Sequence, residues 1–245
     1  MELNEKTLKR AWFFDQALFS LFYAIIEGMI TVFHSDKLTR QSFFQDLINY
    51  LDQHDHVILR DIKKAFPNIT GIDKAIESYV QAGYIRRENK RYGINLPMVT
   101  SNQQLALDTM LFVDTCSVKY EDFLAVTFET QLANQTNQVI IKEKTNITRS
   151  QLTLANYFYR LKRGEKPSAE QMDLYKLLGD VNQEYALKYM TTFLLKFTRK
   201  DLVMQKRPDI FVEALVKLGY LVQVEPTKYQ LLMTLDKESL TFTAP

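Results

Sequence analysis

The chain of 245 residues carries 31 basic and 29 acidic side chains, a net charge of +2. Hydrophobic residues make up 46% and charged residues 24% of the chain, which excludes a disordered protein and predicts a packed core. Because it contains only seven glycines and six prolines, we expect a mainly α fold with small β-hairpins rather than a sandwich or barrel.

The first predicted element is an apolar helix over residues 11–33, within an N-terminal segment of residues 1–37. Its polar residues recur at helical spacing and form one stripe, while the rest of its circumference is apolar. Asp15 and Glu27 interrupt the apolar run, and an acidic residue near the centre of a bilayer is costly, so no membrane association is expected. The residues predicted to be buried, against the protein itself or a partner subunit, are Phe14, Leu18, Phe22 and Ile25.

Residues 38–98 are predicted to form a first module. Apolar residues at helical spacing predict three helices, with a short strand at Val57 and Ile58 between the first two. Gly83 is predicted to end the third helix in a positive-φ conformation. A charged turn from Arg86 to Arg91 then separates two apolar segments, which predicts a β-hairpin with a basic tip.

Residues 41–97 resemble the winged-helix superfamily. The resemblance rests on the order helix, strand, helix, helix and hairpin, and on the run AGYIRRENKRYGINL. It implies a module that binds DNA or another protein, with the third helix in the major groove and the hairpin, or wing, on the backbone or in the minor groove. The run KLTRQSFFQDLINYL also resembles an uncharacterised bacterial family of unknown function, which implies no activity.

The same pattern recurs in a second winged-helix-like module, predicted over residues 184–245. The run IESYVQAGYIRRENKRYGINL, residues 76–96, aligns with VEALVKLGYLVQVEPTKYQLLM, residues 212–233. With one extra residue in the second turn, the matched pairs include Gly83 with Gly219, Tyr84 with Tyr220 and Tyr92 with Tyr229. The second copy departs from the pattern at residues 200–205, where only a short helix is predicted.

The middle region, residues 99–183, is predicted to be a helical segment that joins the two modules. Helices are predicted from Tyr120 to Leu132, from Thr148 onward and from Ser168 onward, because apolar residues follow each start at helical spacing. Residues 139–141 fit either a strand or a buried turn of helix, and their periodicity does not decide between the two.

No motif for catalysis or cofactor binding is present. The sequence contains no GxGxxG, no phosphate-binding loop, no GxSxG and no HExxH. His54, Asp55 and His56 are metal-ligand types, but their place in a predicted turn is typical of solvated loop residues. The single cysteine, Cys116, excludes an internal disulfide. We therefore expect a protein that is not an enzyme and has no catalytic residue, cofactor or metal.

Positive charge collects on the two modules. Residues 56–97 and residues 185–233 each carry eight basic and four acidic side chains, a net charge of +4 apiece in a chain of +2. This distribution is typical of a nucleic-acid footprint. The candidate nucleic-acid-binding residues are four in the first hairpin and four on or near the third helix: Arg86, Arg87, Lys90, Arg91, Lys63, Lys74, Ser78 and Gln81.

The sequence supports two main functional hypotheses, and a third, weaker one is a membrane-peripheral protein held by the first helix. The leading one is a non-enzymatic, cytoplasmic DNA-binding or transcription-associated protein whose partner is double-stranded DNA. Asp73 and Glu77, on the helix that would enter the major groove, would repel phosphates. They favour the alternative, an adaptor that binds a protein partner or a second copy through winged-helix folds that do not bind DNA. In that case the hairpin charges would only keep an edge strand from pairing.

Overall fold

The structure is a computed structural model that describes residues 29–245. The described part divides into two compact units, residues 29–123 and residues 124–245. The described part is 36% helix and 22% strand, and its strands form four sheets. The prediction of a mainly α fold, with a helical region joining the two modules, is therefore wrong, and the fold is mixed α and β. Within residues 29–245, no helix has the length and apolar character needed to cross a bilayer.

Strand β1, Ile30–Phe33, is the first described element. The prediction that the N-terminal helix extends to residue 33 is wrong for these four residues. The β-branched side chains of residues 30–32 favour an extended backbone. The Ile30 amide nitrogen also donates to Oδ1 of Asn49 at 2.7 Å, which fixes the strand to the next helix. The residues predicted to form the buried face of the N-terminal helix lie outside the described part: Phe14, Leu18, Phe22 and Ile25.

The first module has the predicted order of helix, strand, helix, helix and hairpin. Its elements are α1 (Ser42–Gln53), β2 (Val57–Ile58), α2 (Leu59–Ala65), α3 (Ile72–Gln81), β3 (Ile85–Glu88) and β4 (Arg91–Ile94). The element order predicted for residues 41–97 is thus confirmed. The strands form an antiparallel sheet in the order β2-β4-β3. The core of the module includes Phe44, Leu47, Ile48, Ile62 and Tyr79.

The hairpin of the first module turns through two residues. Asn89 and Lys90 have φ angles of +49° and +64°, the left-handed values that a type I′ turn requires at both central positions. Asparagine tolerates this conformation well, and the neighbouring Lys90 is held in it with an exposed side chain. The turn therefore presents a cation at the tip of the hairpin. Past the hairpin, a short 3₁₀ helix, Asn102–Gln104, precedes strand β5, Leu111–Asp114, which pairs antiparallel with β1.

The middle of the chain is not a helical linker. Helix α4, Tyr120–Ala125, is followed by strand β6, Phe128–Leu132, which pairs antiparallel with β7, Ile140–Thr145. The predicted single helix from Tyr120 to Leu132 is wrong, because the apolar residues at its end also alternate and so fit a strand. The sequence left residues 139–141 open between a strand and a buried turn of helix. Residues 140 and 141 lie in β7, so the strand is correct.

The second unit continues with four helices and five strands. They are α5 (Leu154–Arg163), α6 (Met172–Leu178), α7 (Gln183–Leu194), β8 (Leu202–Met204), α8 (Ile210–Lys217), β9 (Leu221–Glu225), β10 (Lys228–Leu231), β11 (Thr234–Asp236) and β12 (Thr241–Thr243). A 3₁₀ helix, Leu195–Thr198, extends α7. One sheet has the order β8-β10-β9, and the other has the order β11-β12-β7-β6 with β12 parallel to β7. The short helix predicted at residues 200–205 is wrong, since those residues contain β8 instead.

The two hairpins are built in the same way. Each follows a glycine in the left-handed region, Gly83 at φ +82° and Gly219 at φ +73°. The backbone bonds around these glycines match at 2.9 to 3.0 Å: Gly83 N–H to Val80 O and Tyr84 N–H to Tyr79 O, against Gly219 N–H to Val216 O and Tyr220 N–H to Leu215 O. The predicted hairpin after each glycine is confirmed.

The strand registers of the two hairpin sheets also correspond. Val57 lies opposite Tyr92 in the first, and Val203 lies opposite Tyr229 in the second. The extra residue of the second hairpin is accommodated by a register shift between β9 and β10. This register places Val222 where the first hairpin has Arg86, since each lies next to the residue that opens its strand.

Candidate nucleic-acid interface

A cavity of about 640 Å³ lies beside the tip of the first hairpin. Three cationic side chains line it, those of Arg60, Arg87 and Lys90. Among the described residues that line it, none is acidic. We call this site the cationic cavity. A concave site lined by one sign of charge concentrates the electrostatic field and attracts ions of the opposite sign.

Three separate elements bring these cations together. Arg60 lies in the first turn of α2, Arg87 lies on β3, and Lys90 lies in the hairpin turn. Pairing of β2 with β4 sets the start of α2 next to the hairpin. Asp61, the acidic residue next to Arg60, does not line the cavity. Its Oδ2 accepts the Ile58 amide at 3.1 Å and caps α2.

The two carboxylates of α3 that were expected to repel phosphates are both paired with cations. Arg87 Nη1 lies 2.7 Å from Glu77 Oε2, and Lys63 Nζ lies 2.8 Å from Asp73 Oδ2. The hydrogen bond to Glu77 raises the pKa of Arg87. Each pair is partly exposed, so its contribution to stability is small, about 0 to 1 kcal/mol. At the candidate interface these ion pairs neutralise the two repulsive carboxylates, and the pair with Glu77 also holds Arg87 in place.

The remaining predicted residues of α3 offer little to a base edge. The Ser78 hydroxyl donates to the Lys74 carbonyl at 2.9 Å, within its own helix. Gln81 Nε2 lies 3.5 Å from Glu77 Oε1, at the limit of a hydrogen bond. Lys74 is exposed and able to reach a phosphate. The outward side of α3 is therefore better suited to backbone contact than to reading bases.

The four basic residues of the hairpin are not one group. Arg87 and Lys90 line the cationic cavity, whereas Arg86 and Arg91 line a second cavity of about 460 Å³. Acidic residues share this second cavity: Asp52, Asp55 and Glu88. Arg86 Nε also lies 3.9 Å from Glu88 Oε1, so the cavity has mixed charge.

His54 and His56 line the mixed cavity. Burial and the nearby charge of Asp114 raise the pKa of Asp52, which is close to them in sequence. Across residues 29–245, no cluster of three or more histidine, cysteine, aspartate or glutamate side chains has the arrangement of a metal site.

The second hairpin differs from the first in charge. Lys228 lies at the turn of the second hairpin, and its Nζ lies 2.9 Å from Oε2 of Glu225, the last residue of β9. This ion pair neutralises the lysine. The positions that correspond to Arg86 and Arg87 hold Val222 and Gln223. The positive charge counted on the second module therefore does not lie on its hairpin.

Sequence reasoning identified the hairpin cations but not Arg60 as a site residue. Arg60 directly follows β2, the strand that pairs with the second strand of the hairpin. That pairing was the signal that could have placed Arg60 beside Lys90. The separation of Arg86 from Arg87 also follows from strand alternation, since consecutive side chains point to opposite faces.

Comparison with known protein families gives a match for the first unit. Residues 30–126 match the family model of a domain of unknown function (DUF1803). The matched region contains the whole first module and the cationic cavity, and it agrees with the predicted resemblance of residues 37–51 to an uncharacterised family. No curated protein and no solved structure matches the chain.

Proposed function

We propose that this chain is a non-enzymatic, cytoplasmic protein that binds double-stranded DNA through the first module. The observation that carries the proposal is the cationic cavity. Arg60, Arg87 and Lys90 converge there, and no described acidic residue lines the same space. Glu77 neutralises only Arg87, and within residues 29–245 neither Arg60 nor Lys90 forms an ion pair, so an added anion lowers the repulsion that remains. A phosphate diester is the anion that DNA presents along its length.

The winged-helix resemblance of residues 41–97 forms part of this proposal. The order of elements and the sheet order β2-β4-β3 support it. In such a module the hairpin approaches the DNA backbone. The cationic cavity lies beside the tip of this hairpin. Arg87 and Lys90 would then bind phosphate oxygens from the hairpin, and Arg60 would bind from the start of α2.

The proposed binding depends on charge more than on sequence. Phosphate contacts position a protein on the duplex but carry no base information. Ser78 is bonded within its helix, and Gln81 is directed toward Glu77. We therefore expect weak sequence preference and strong salt dependence, because each neutralised phosphate releases a condensed counterion.

The proposal is tested by titrating a labelled mixed-sequence duplex with the full chain and with two triple variants. One variant removes the cavity charges: Arg60→Ala, Arg87→Ala and Lys90→Ala. The control removes three exposed lysines outside the cavity: Lys37→Ala, Lys64→Ala and Lys237→Ala. Both change the net charge by the same amount, so the comparison isolates the position of the charges.

We expect the cavity variant to lose most of its affinity at about 50 mM salt and the control to lose little. Removing Arg87 also leaves Glu77 unpaired, which adds repulsion of its own. A second cavity variant, with Arg60→Ala, Arg87→Gln, Lys90→Ala and Glu77→Gln, removes that effect and should still bind weakly. Equal losses in the cavity variants and the control would contradict the proposal.

A further inference from the structure

The second unit has a groove with an apolar floor and a cationic rim. Its volume is about 680 Å³, and it runs beside β8. Its cationic residues are Lys196, Arg199 and Lys200, and its apolar residues are Leu195, Val203 and Met204. Among the described residues that line the groove, none is acidic. The groove therefore favours a ligand that has both negative charge and apolar side chains.

The cations of this groove are available for a ligand. Arg199 and Lys200 are exposed, and neither forms an ion pair with any residue in the described part of the chain. Lys196 Nζ lies 4.6 Å from the centre of the Phe193 ring, a contact that positions the ammonium group without neutralising it.

The groove borders an open sheet edge. Strand β8 pairs with β10 on one side, and on its other side it pairs with no strand of residues 29–245. An unpaired strand edge presents backbone N–H and C=O groups to which an extended peptide can add. Basic residues near the edge discourage pairing with neutral strands. They favour pairing with acidic segments, whose charge they complement.

The outer face of this sheet exposes four apolar side chains. Leu202 and Met204, on the edge strand β8, are 46% and 51% exposed, and Val222 and Val224 of β9, on the far side of β10, are 36% and 45% exposed. The corresponding face of the first hairpin holds Arg86 in place of Val222. Phosphates gain nothing from aliphatic neighbours, so this face suits a protein ligand rather than a nucleic acid.

We propose that β8 and its groove bind an extended, acidic segment of a partner protein. The segment adds to the free edge of β8 as a further strand. Because side chains alternate along a strand, its acidic side chains lie toward Lys196, Arg199 and Lys200, while its apolar side chains join the exposed face of Leu202 and Met204. This docking site uses none of the residues proposed for DNA contact in the first module.

The test uses the full chain and three labelled eight-residue peptides, followed by fluorescence anisotropy. The first peptide alternates glutamate and valine, the second alternates lysine and valine, and the third is the glutamate peptide with an N-methyl group on every amide. We expect only the first to bind well, since the second reverses the charge and the third cannot form the strand ladder. Equal binding by either control peptide would overturn the proposal.

Variants of the chain locate the site. The double variant Arg199→Ala, Lys200→Ala should lower the affinity for the glutamate peptide about fivefold, because two exposed charge contacts are lost. Leu202→Ser with Met204→Ser should also weaken it, whereas Lys217→Ala with Lys237→Ala removes two cations elsewhere and should leave binding within about twofold.

Three further results would contradict the proposal. The first is no peptide binding at about 1 mM. The second is loss of duplex binding by the Arg199 and Lys200 variant with peptide binding intact, which would make the groove a nucleic-acid site. The third is a dimer of the full chain, seen by sedimentation and abolished by the same variant, which would make a second copy the occupant.

Discussion

Glu143 on β7 provides a quantitative test of how the second unit is held together. Its side chain is only 1% exposed, and its two carboxylate oxygens accept the amides of Leu154 and Ala155 at 2.7 Å each. These amides open α5, so the carboxylate fixes the helix N-terminus to the sheet. Burial raises the pKa of Glu143 to about 7, against the opposing effects of the two amides and of Arg149.

The sign of the effect on stability follows from linkage. The ordinary pKa is 4.5 and the folded value is about 7, so the folded protein binds this proton more tightly than the unfolded chain. The contribution of Glu143 to folding is therefore most favourable below pH 4.5 and declines as the pH rises through 7. Since one pH unit corresponds to about 1.4 kcal/mol, the decline amounts to about 3 kcal/mol in the free energy of unfolding.

The assay is urea denaturation of the parent chain and of Glu143→Gln, followed by circular dichroism from pH 4.5 to pH 8. The glutamine side chain does not titrate, so subtracting the two series removes the pH dependence of every other group. We expect the variant to gain stability relative to the parent by up to about 3 kcal/mol across this range. A parent that gains stability relative to the variant would refute the reasoning, because the amide bonds to the carboxylate would then outweigh the cost of its burial.

Three further predictions concern charge, backbone and capping. Glu77→Gln should strengthen duplex binding in the titration above, because it removes a negative charge and frees Arg87 from its ion pair. Gly83→Ala should lower the free energy of unfolding by about 1 kcal/mol in urea denaturation, since its φ of +82° strains any residue with a Cβ. Asp209→Ala should cost about 1 kcal/mol in the same assay, because Asp209 Oδ1 accepts the Phe211 and Val212 amides at 2.9 and 3.3 Å and caps α8. Asp209→Asn keeps this acceptor and should restore most of the loss.

The sequence predicted the elements whose signals are local. The first module and both hairpins follow from helical periodicity, from Gly83 and Gly219, and from charged turns between apolar segments. The four-stranded sheet of the second unit could not be predicted in this way. Its strand β12, Thr241–Thr243, pairs with β7 about a hundred residues earlier, and so short a strand has no periodicity of its own.

The candidate site shows the same division between local and tertiary information. The basic hairpin was visible in the sequence because Arg86, Arg87, Lys90 and Arg91 lie close together. The contribution of Arg60 depends on strand pairing across the module. The neutralisation of Glu77 by Arg87 likewise depends on α3 packing beside β3, which the sequence alone did not establish.

The salt dependence of duplex binding tests the central claim most directly. The measurement is the slope of log binding constant against log salt concentration, for the full chain and for the Arg60→Ala, Arg87→Ala, Lys90→Ala variant. If these three side chains each neutralise a phosphate, the variant slope should be shallower by about 3, and the lysine control should keep the parent slope. An unchanged slope in the cavity variant, or no binding of the parent chain at about 50 mM salt, would contradict the account.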